Sequence, residues 1–509
     1  MSDPGTRIGE RALAGVGWNS LSMVIRQTSQ FVTTAVLARL LLPSDFGLVG
    51  MAAIVTGLVY SVRELGLSAA IVQKKELDQM HLSSSFWANI MGGLVLFGIC
   101  ALAAPIASRF FRDPIVAPIL IVSSTSLVIS SFGAVHRASL LRNLRFKAIA
   151  VAEVGISLAY GFVAIAMAAL GFGVWSLVGG TLFGSGVGVI LWWSVLRWRP
   201  ALEFSWRKFL ELFRFGANVM GSGLVGYFSH NIDYLVIGRR LGAFPLGIYT
   251  LAFKLISFPL TRVSYMVTDV AFPAFSRIQG EDARLRRGYT RTVSYLSLII
   301  FPLLFGLMVL APEFVRVVYG PKWTPAILPL RVMCVLGMLK GVGTTVGSIL
   351  KAKGRPDVEL KYSILFLSGM VAAVLLGSRY GIAGVALAIT VLALLAFPVI
   401  QLVTNRMIGL SSREYLGSLL PAFVSSALMS VVIASWRMLA RALILENNLF
   451  ILLSSFIAGV AAYYLFLRLL RVKELQELPE LFLLLPGMGR LAGRRTCHND
   501  SFRSCGGDP

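Results

Sequence analysis

The sequence predicts an all-α polytopic membrane protein with about 14 transmembrane helices. Three observations predict it. Of 509 residues, 56% are hydrophobic and only 14% charged, whereas an ordinary soluble domain carries about 25% charged residues. Apolar stretches of about 20 residues recur along nearly the whole chain. The Lys and Arg residues gather in alternate connections between those stretches. A net charge of +23 would suit nucleic acid in a soluble protein. In a membrane protein basic residues have another use, marking cytoplasmic loops, and no nucleic-acid partner is expected.

In order, the expected spans are 13–37, 46–71, 83–108, 115–136, 148–170, 174–196 and 209–238, then 246–272, 292–312, 326–350, 360–378, 382–405, 415–436 and 448–470. The fifth and sixth are separated only by Gly171-Phe172-Gly173, which reads as a tight helical hairpin. The N-terminus and every second connection after it (74–75, 137–147, 197–208, 277–291, 351–361, 406–413 and the tail) hold roughly 30 of the 47 Lys and Arg. The alternate connections hold roughly 10, so an even span number places both termini in the cytoplasm. The first span is too long for a cleavable signal and reads as a signal anchor. Cys100 and Cys334 lie in spans, and Cys497 and Cys505 in the basic tail. They give no disulfide framework, and Cys497-His498 with Cys505 fits no standard metal spacing. The tail, 472–509, reads as solvated and partly disordered.

A weak internal repeat has an offset of 200. Arg39, Leu41, Gly47 and Ala52 in ARLLLPSDFGLVGMA recur as Arg239, Leu241, Gly247 and Ala252 in GRRLGAFPLGIYTLA. Six spans separate the two stretches, so the repeats have parallel topology, as two related bundles about an axis normal to the membrane. Two glycine patterns suggest otherwise only at first sight. Gly221 to Gly226 spells GxGxxG, but a dinucleotide site needs a preceding strand, and this run lies inside the seventh span. Gly180, Gly184 and Gly188 have the spacing that lets membrane helices approach closely. No Walker A, HExxH or GxSxG motif is present, so the chain is expected to be a transporter rather than an enzyme.

Arg26 sits near the middle of the first span, where an arginine costs about 2.5–3.5 kcal/mol on insertion scales. Projected at about 100° per residue, Asn19, Ser22, Arg26, Ser29, Gln30 and Thr33 share one face, opposite Val24, Ile25, Phe31 and Val32. Such a stripe cannot face lipid. It reads as lining a wet cavity, with an ion pair between Arg26 and an internal carboxylate as the structural alternative. The seventh span repeats the pattern with Asn218, Ser222, Ser229 and Asp233, and the eighth with Lys254, Ser257, Thr261, Tyr265 and Thr268 beside Arg262 and Asp269. Basic residues within spans are Arg26, Arg63, Arg214, Lys254, Arg262, Arg331 and Lys340; the acids are Glu64, Glu153, Asp233 and Asp269. The interior therefore stays positive after pairing, which suits an anionic substrate bearing hydroxyls.

The chain resembles the lipid-linked oligosaccharide flippases of polysaccharide biosynthesis, the Wzx-type branch of the multidrug/oligosaccharidyl-lipid/polysaccharide exporter superfamily. The resemblance rests on ARLLLPSDFGLVGMA from Ala38, RELGLSAAIVQKK from Arg63, HNIDYLVIGRRLGAFPLGIY from His230, AFPAFSRIQ from Ala271 and YGPKWTPA from Tyr319. It extends to about Arg471 and excludes the tail. It implies two six-helix lobes, 1–200 and 201–410, around a central cavity, with spans 13 and 14 (411–471) as an addition.

It implies further that a repeat unit on undecaprenyl pyrophosphate crosses the bacterial cytoplasmic membrane by alternating access, for exopolysaccharide, capsule or lipopolysaccharide O-antigen synthesis. Polymerase and chain-length proteins are the protein partners this implies. The substrate-binding candidates are Arg26, Gln30, Asn19, Asn218, Lys254 and Arg262. Asp233 and Glu64 are candidates for coupling to a proton or sodium gradient, and no cofactor is expected. His136 and His230 read as interfacial or packed. A multidrug exporter of the same superfamily, or a non-transporting envelope assembly subunit, is the alternative. A cationic drug would call for carboxylates rather than arginine near the substrate.

Overall fold

In the computed structural model, which describes residues 4–64, 67–74, 76–260, 264–443 and 447–472, sixteen α-helices follow one another and no strand occurs among the described residues. The first half comprises α1 (Pro4–Leu40), α2 (Pro43–Glu64), α3 (Leu67–Gln73), α4 (Gln79–Phe111), α5 (Val116–Arg142), α6 (Phe146–Ala169) and α7 (Trp175–Val195). The second comprises α8 (Trp206–Leu241), α9 (Ala243–Pro259), α10 (Tyr265–Arg277), α11 (Asp282–Val318), a 3₁₀ turn (Pro321–Ala326), α12 (Ile327–Ala352), α13 (Pro356–Gly377) and α14 (Gly381–Met407). Two more helices, α15 (Ser412–Ala442) and α16 (Asn448–Leu469), complete the described chain. Among the described residues, ten helical stretches are long and apolar enough to cross a membrane, one of them holding both α13 and α14.

The helices fall in the expected order, and local chemistry explains their ends. Asp78 caps α4 by accepting from the His81 backbone N–H at 2.9 Å, and Ser411 with Glu414 forms a capping box on α15. Each cap satisfies backbone N–H groups that the first helical turn leaves unpaired. Gly171 and Gly173 take positive φ (84° and 54°) between α6 and α7, as the expected hairpin requires. The small-residue spacing on α7 also serves packing: Gly180 lies so close to Ala164 and the Tyr160 carbonyl of α6 that no side chain fits between them. The Gly221–Gly226 run is helical, within α8. Two expected spans are each carried by two helices, α2 with α3 and α9 with α10.

Helices α1 and α4–α7 pack chiefly on one another, as α1 on α6, α4 on α5 and α7 on α5 and α6, whereas α2 touches α5 but packs more extensively on α9 and α8. In the second half α12 is the hub, touching α9, α10, α11 and α14. The halves meet mainly where α2 crosses α9 and α8. The crossing of α2 and α9 is reciprocal: a side-chain carbon at Gly47 would overlap the Ala243 carbonyl, and one at Gly247 would overlap the Pro43 carbonyl. These two glycine–backbone contacts carry the same 200-residue offset as the sequence repeat.

Candidate functional site

The polar face of α1 is divided in the structure. Ser22 and Thr33 are buried, and Thr33 fits into the space left by Gly161 of α6. Between them Arg26 donates to Glu153 of α6, and Arg137 of α5 donates to the other oxygen of the same carboxylate at 3.1 Å. The structural alternative for Arg26, an internal ion pair, is thus present. It does not neutralise the site, because two guanidiniums share one carboxylate and the Arg26 side chain remains 28% exposed. Gln30, one turn further along α1, is exposed.

Across the molecule, Lys254 of α9 and Lys340 of α12 are also exposed. The Lys340 ammonium lies 4.9 Å from the centre of the Phe253 ring, near enough to Asp233 to feel its charge. Asp233 is buried, and one carboxylate oxygen accepts from the Tyr249 hydroxyl at 2.6 Å. Its other oxygen has no hydrogen-bond partner among the described residues. Tyr249 stacks on Phe253 at 5.9 Å, and Tyr234 stands edge-on to both, so an aromatic wall separates the acid from its surroundings. No hydrogen bond or ion pair joins Arg26 or Gln30 to Lys254 among the described residues.

The three cations nevertheless lie at similar depth. Counting 1.5 Å per residue from the helix ends that meet at the α2–α9 crossing, Arg26 is about 21 Å in, Lys254 about 16 Å and Lys340 about 20 Å. At that shared end α1 is tied to the second half of the chain. The Trp323 indole N–H donates to the Ala38 carbonyl at 2.7 Å, Arg39 donates to the Val317 and Val318 carbonyls, and Phe31 meets Tyr319 edge-on. Along the rest of its length the extensive packing of α1 is against α6.

The side chains of Asn19, Asn218 and Glu64, together with those of His230 and Asp269, lie outside the described residues, as does the whole of Arg262. His136 is packed within the first half of the chain. It is fully buried, stacked on Trp193 at 4.7 Å and beside Trp198, because the connection after α7 folds back over α5. Sequence reading also missed Glu313, which is wholly buried in α11 and pairs with Arg437 at 3.3 Å and Arg441 at 2.5 Å. Its signal was a lone acid at the end of an apolar run, facing two arginines 124 and 128 residues later.

The polysaccharide biosynthesis protein family matches residues 36–328. The chain is 30% identical over 432 residues to the teichuronic acid biosynthesis protein TuaB of Bacillus subtilis (strain 168), covering 84% of this chain and 89% of that one. It is 30% identical over 425 residues to the lipopolysaccharide biosynthesis protein WzxC of Escherichia coli (strain K12), covering 82% and 86%. Among solved structures, the lipid II flippase MurJ in its inward closed conformation superposes with a TM-score of 0.70 at 14% identity, covering 90% of this chain and 99% of that chain. The fold is therefore that of a polytopic, all-helical membrane protein like MurJ.

Proposed function

Because the chain belongs to the polysaccharide biosynthesis protein family, we propose that it is a transporter that flips an anionic lipid-linked oligosaccharide from the cytoplasmic to the outer leaflet. The carrying observation is the set of cations at one depth, Arg26, Lys254 and Lys340, on three helices from both halves of the molecule. A diphosphate carries the complementary charge, and the guanidinium fork of Arg26 suits its oxygens. Gln30, with Asn19 and Asn218, offers amide groups to sugar hydroxyls, and Arg262 is a further phosphate ligand. The prenyl chain remains in lipid beside α1. An undecaprenyl pyrophosphate carrier is the substrate this reading favours.

Transport proceeds by rocking of lobe 1–200 against lobe 201–410 about the α2–α9 crossing, with 411–471 as a flanking addition and 472–509 as a cytoplasmic tail. Both termini are cytoplasmic, in keeping with the basic connections. Polymerase and chain-length proteins act on the exported unit. Substituting Arg26→Ala is expected to leave membrane insertion intact and to abolish polymer export. Normal export by that variant sinks the assignment. The multidrug alternative is disfavoured because each described intramembrane carboxylate already has a protein partner, Glu153 in Arg26 and Arg137, Asp233 in the Tyr249 hydroxyl and Glu313 in Arg437 and Arg441.

Asp233 is proposed as the coupling group, with Glu64 as a second candidate, because one oxygen of the buried Asp233 carboxylate has no hydrogen-bond partner among the described residues and can take a proton or a sodium ion. In vesicles with an imposed proton or sodium gradient, the wild type should respond to one of them and Asp233→Asn to neither. An unchanged response in the variant removes Asp233 from the mechanism.

A further inference from the structure

A second basic site lies away from the three cations, at the N-terminal ends of α11 and α15. Along their apolar lengths these helices interlock through Phe301 and Phe305 against Phe423. At their N-terminal ends, beside the stacked Tyr289 and Tyr415 rings, they line a cleft of about 580 Å³, whose polar lining is Arg286, Arg287, Thr290, Arg291, Glu414 and Ser418. The cleft is positive. Glu414 is the one acid in this lining, and its carboxylate accepts from the Ser411 backbone N–H in the α15 capping box. Three arginines against one acid leave two positive charges, to which the N-terminus of α15 adds its partial positive charge.

The arginines are not equivalent. Arg286 is fixed at the back, donating to the Gly409 carbonyl at 3.1 Å beyond the end of α14. Arg291 is steadied by the Tyr295 hydroxyl at 3.0 Å. The Arg287 side chain is exposed and has no hydrogen-bond or ion-pair partner among the described residues. Thr290 and Ser418 spend their hydroxyl protons on backbone carbonyls of their own helices, which leaves oxygen lone pairs but no donor facing the cleft. The donors that remain are guanidinium N–H groups, the chemistry that binds phosphate.

Depth selects the source of that phosphate. Arg291 is the last charged residue before the long apolar run of α11, and Glu414 precedes the apolar run of α15. The cleft is thus at the level of lipid headgroups, open to water and roofed by helix packing. Basic pockets between membrane helices at this level take anionic headgroups. We infer that this cleft binds the phosphate of an anionic phospholipid in the adjoining leaflet, bridging α11 to the C-terminal helix pair. The inference rests on the chain spanning a membrane and does not require the transport proposed above.

The test uses the full-length protein, delipidated in detergent, titrated separately with short-chain phosphatidylglycerol, short-chain phosphatidylcholine and inorganic pyrophosphate. Phosphatidylglycerol should bind and raise the unfolding temperature; phosphatidylcholine should do neither. Arg287→Gln, a change at an exposed side chain that holds nothing in place, should weaken phosphatidylglycerol binding about fivefold, the worth of one basic residue at a membrane surface. Arg287→Lys should recover most of that loss. Arg207→Gln, on α8 with a side chain 92% exposed, is the control and should bind like the wild type. Equal binding by the Arg287→Gln and Arg207→Gln variants overturns the site. Pyrophosphate binding without phosphatidylglycerol binding overturns the lipid as its occupant.

Discussion

Glu153 holds two arginines inside the membrane, and its role can be separated from theirs. Its side chain is 17% exposed, Arg26 28% and Arg137 49%, so the carboxylate is the most protected member of the three. Burying a carboxylate is expensive unless charge and hydrogen bonds compensate it. Arg26 and Arg137 both do so, and in return Glu153 fixes the direction of the Arg26 fork. Glu153→Gln keeps the shape of the side chain and removes its charge. Two guanidiniums, Arg26 within its span and Arg137 towards the end of α5, then lie without a counter-ion, so the inserted amount should fall while each inserted molecule still transports. Arg26→Ala should do the reverse, because Arg137 continues to satisfy Glu153. Quantitative blotting of membranes, with polymer export scaled to the inserted amount, distinguishes the two. Equal export per inserted molecule in both variants would falsify this division of labour.

Between helices, the decisive contact is made by residues that lack side chains. Gly47 abuts the Ala243 backbone and Gly247 abuts the Pro43 backbone, so α2 and α9 approach to near backbone contact where the two halves meet. The repeat glimpsed as four identities therefore contains its own structural reason: one of the four, Gly47 with Gly247, supplies both glycines of the contact. Gly47→Val should keep each half folded and force the halves apart at this end. Spin labels on cysteines at Leu42 and Phe244, which are 52% and 45% exposed and flank the contact, should then report a longer distance than in the parent. An unchanged distance means the crossing does not set the separation. The α6–α7 hairpin was equally legible, since glycine at positive φ is a local requirement. The breaks between α2 and α3 and between α9 and α10 were not. Arg63-Glu64 and Arg262 stand at the two junctions, but a window of span length averages one or two charges away, so hydropathy alone registers no interruption.

At the scale of the molecule, the fold class was legible because lipid forces it: a chain this apolar must satisfy its backbone internally. The candidate site was legible only in part, because a side-chain projection shows which residues share a face and not what that face meets. The stripe on α1 was read correctly as turned from lipid at Ser22 and Thr33, yet the partner of Arg26 lies 127 residues away and leaves no local trace. Glu313 is the sharper case. It ties α11 to α15 through Arg437 and Arg441, with Arg331 of α12 adding its charge nearby. One Glu313 oxygen has no partner among the described residues, so the cluster is tense as well as positive. Glu313→Gln retains the volume and strands the arginines. A sealed pair broken in this way costs about 3–5 kcal/mol, and because Arg441 reaches solvent the loss here should be about 1–3 kcal/mol. The damage should be confined to the docking of α15 and α16. Limited proteolysis in detergent is expected to cut near residue 411 sooner in the variant, while the unfolding of residues 4–407 stays in place. Adding Arg437→Met removes the most buried stranded charge and should restore protection. Parental proteolysis of the single variant would mean that α15 is held by its apolar face alone.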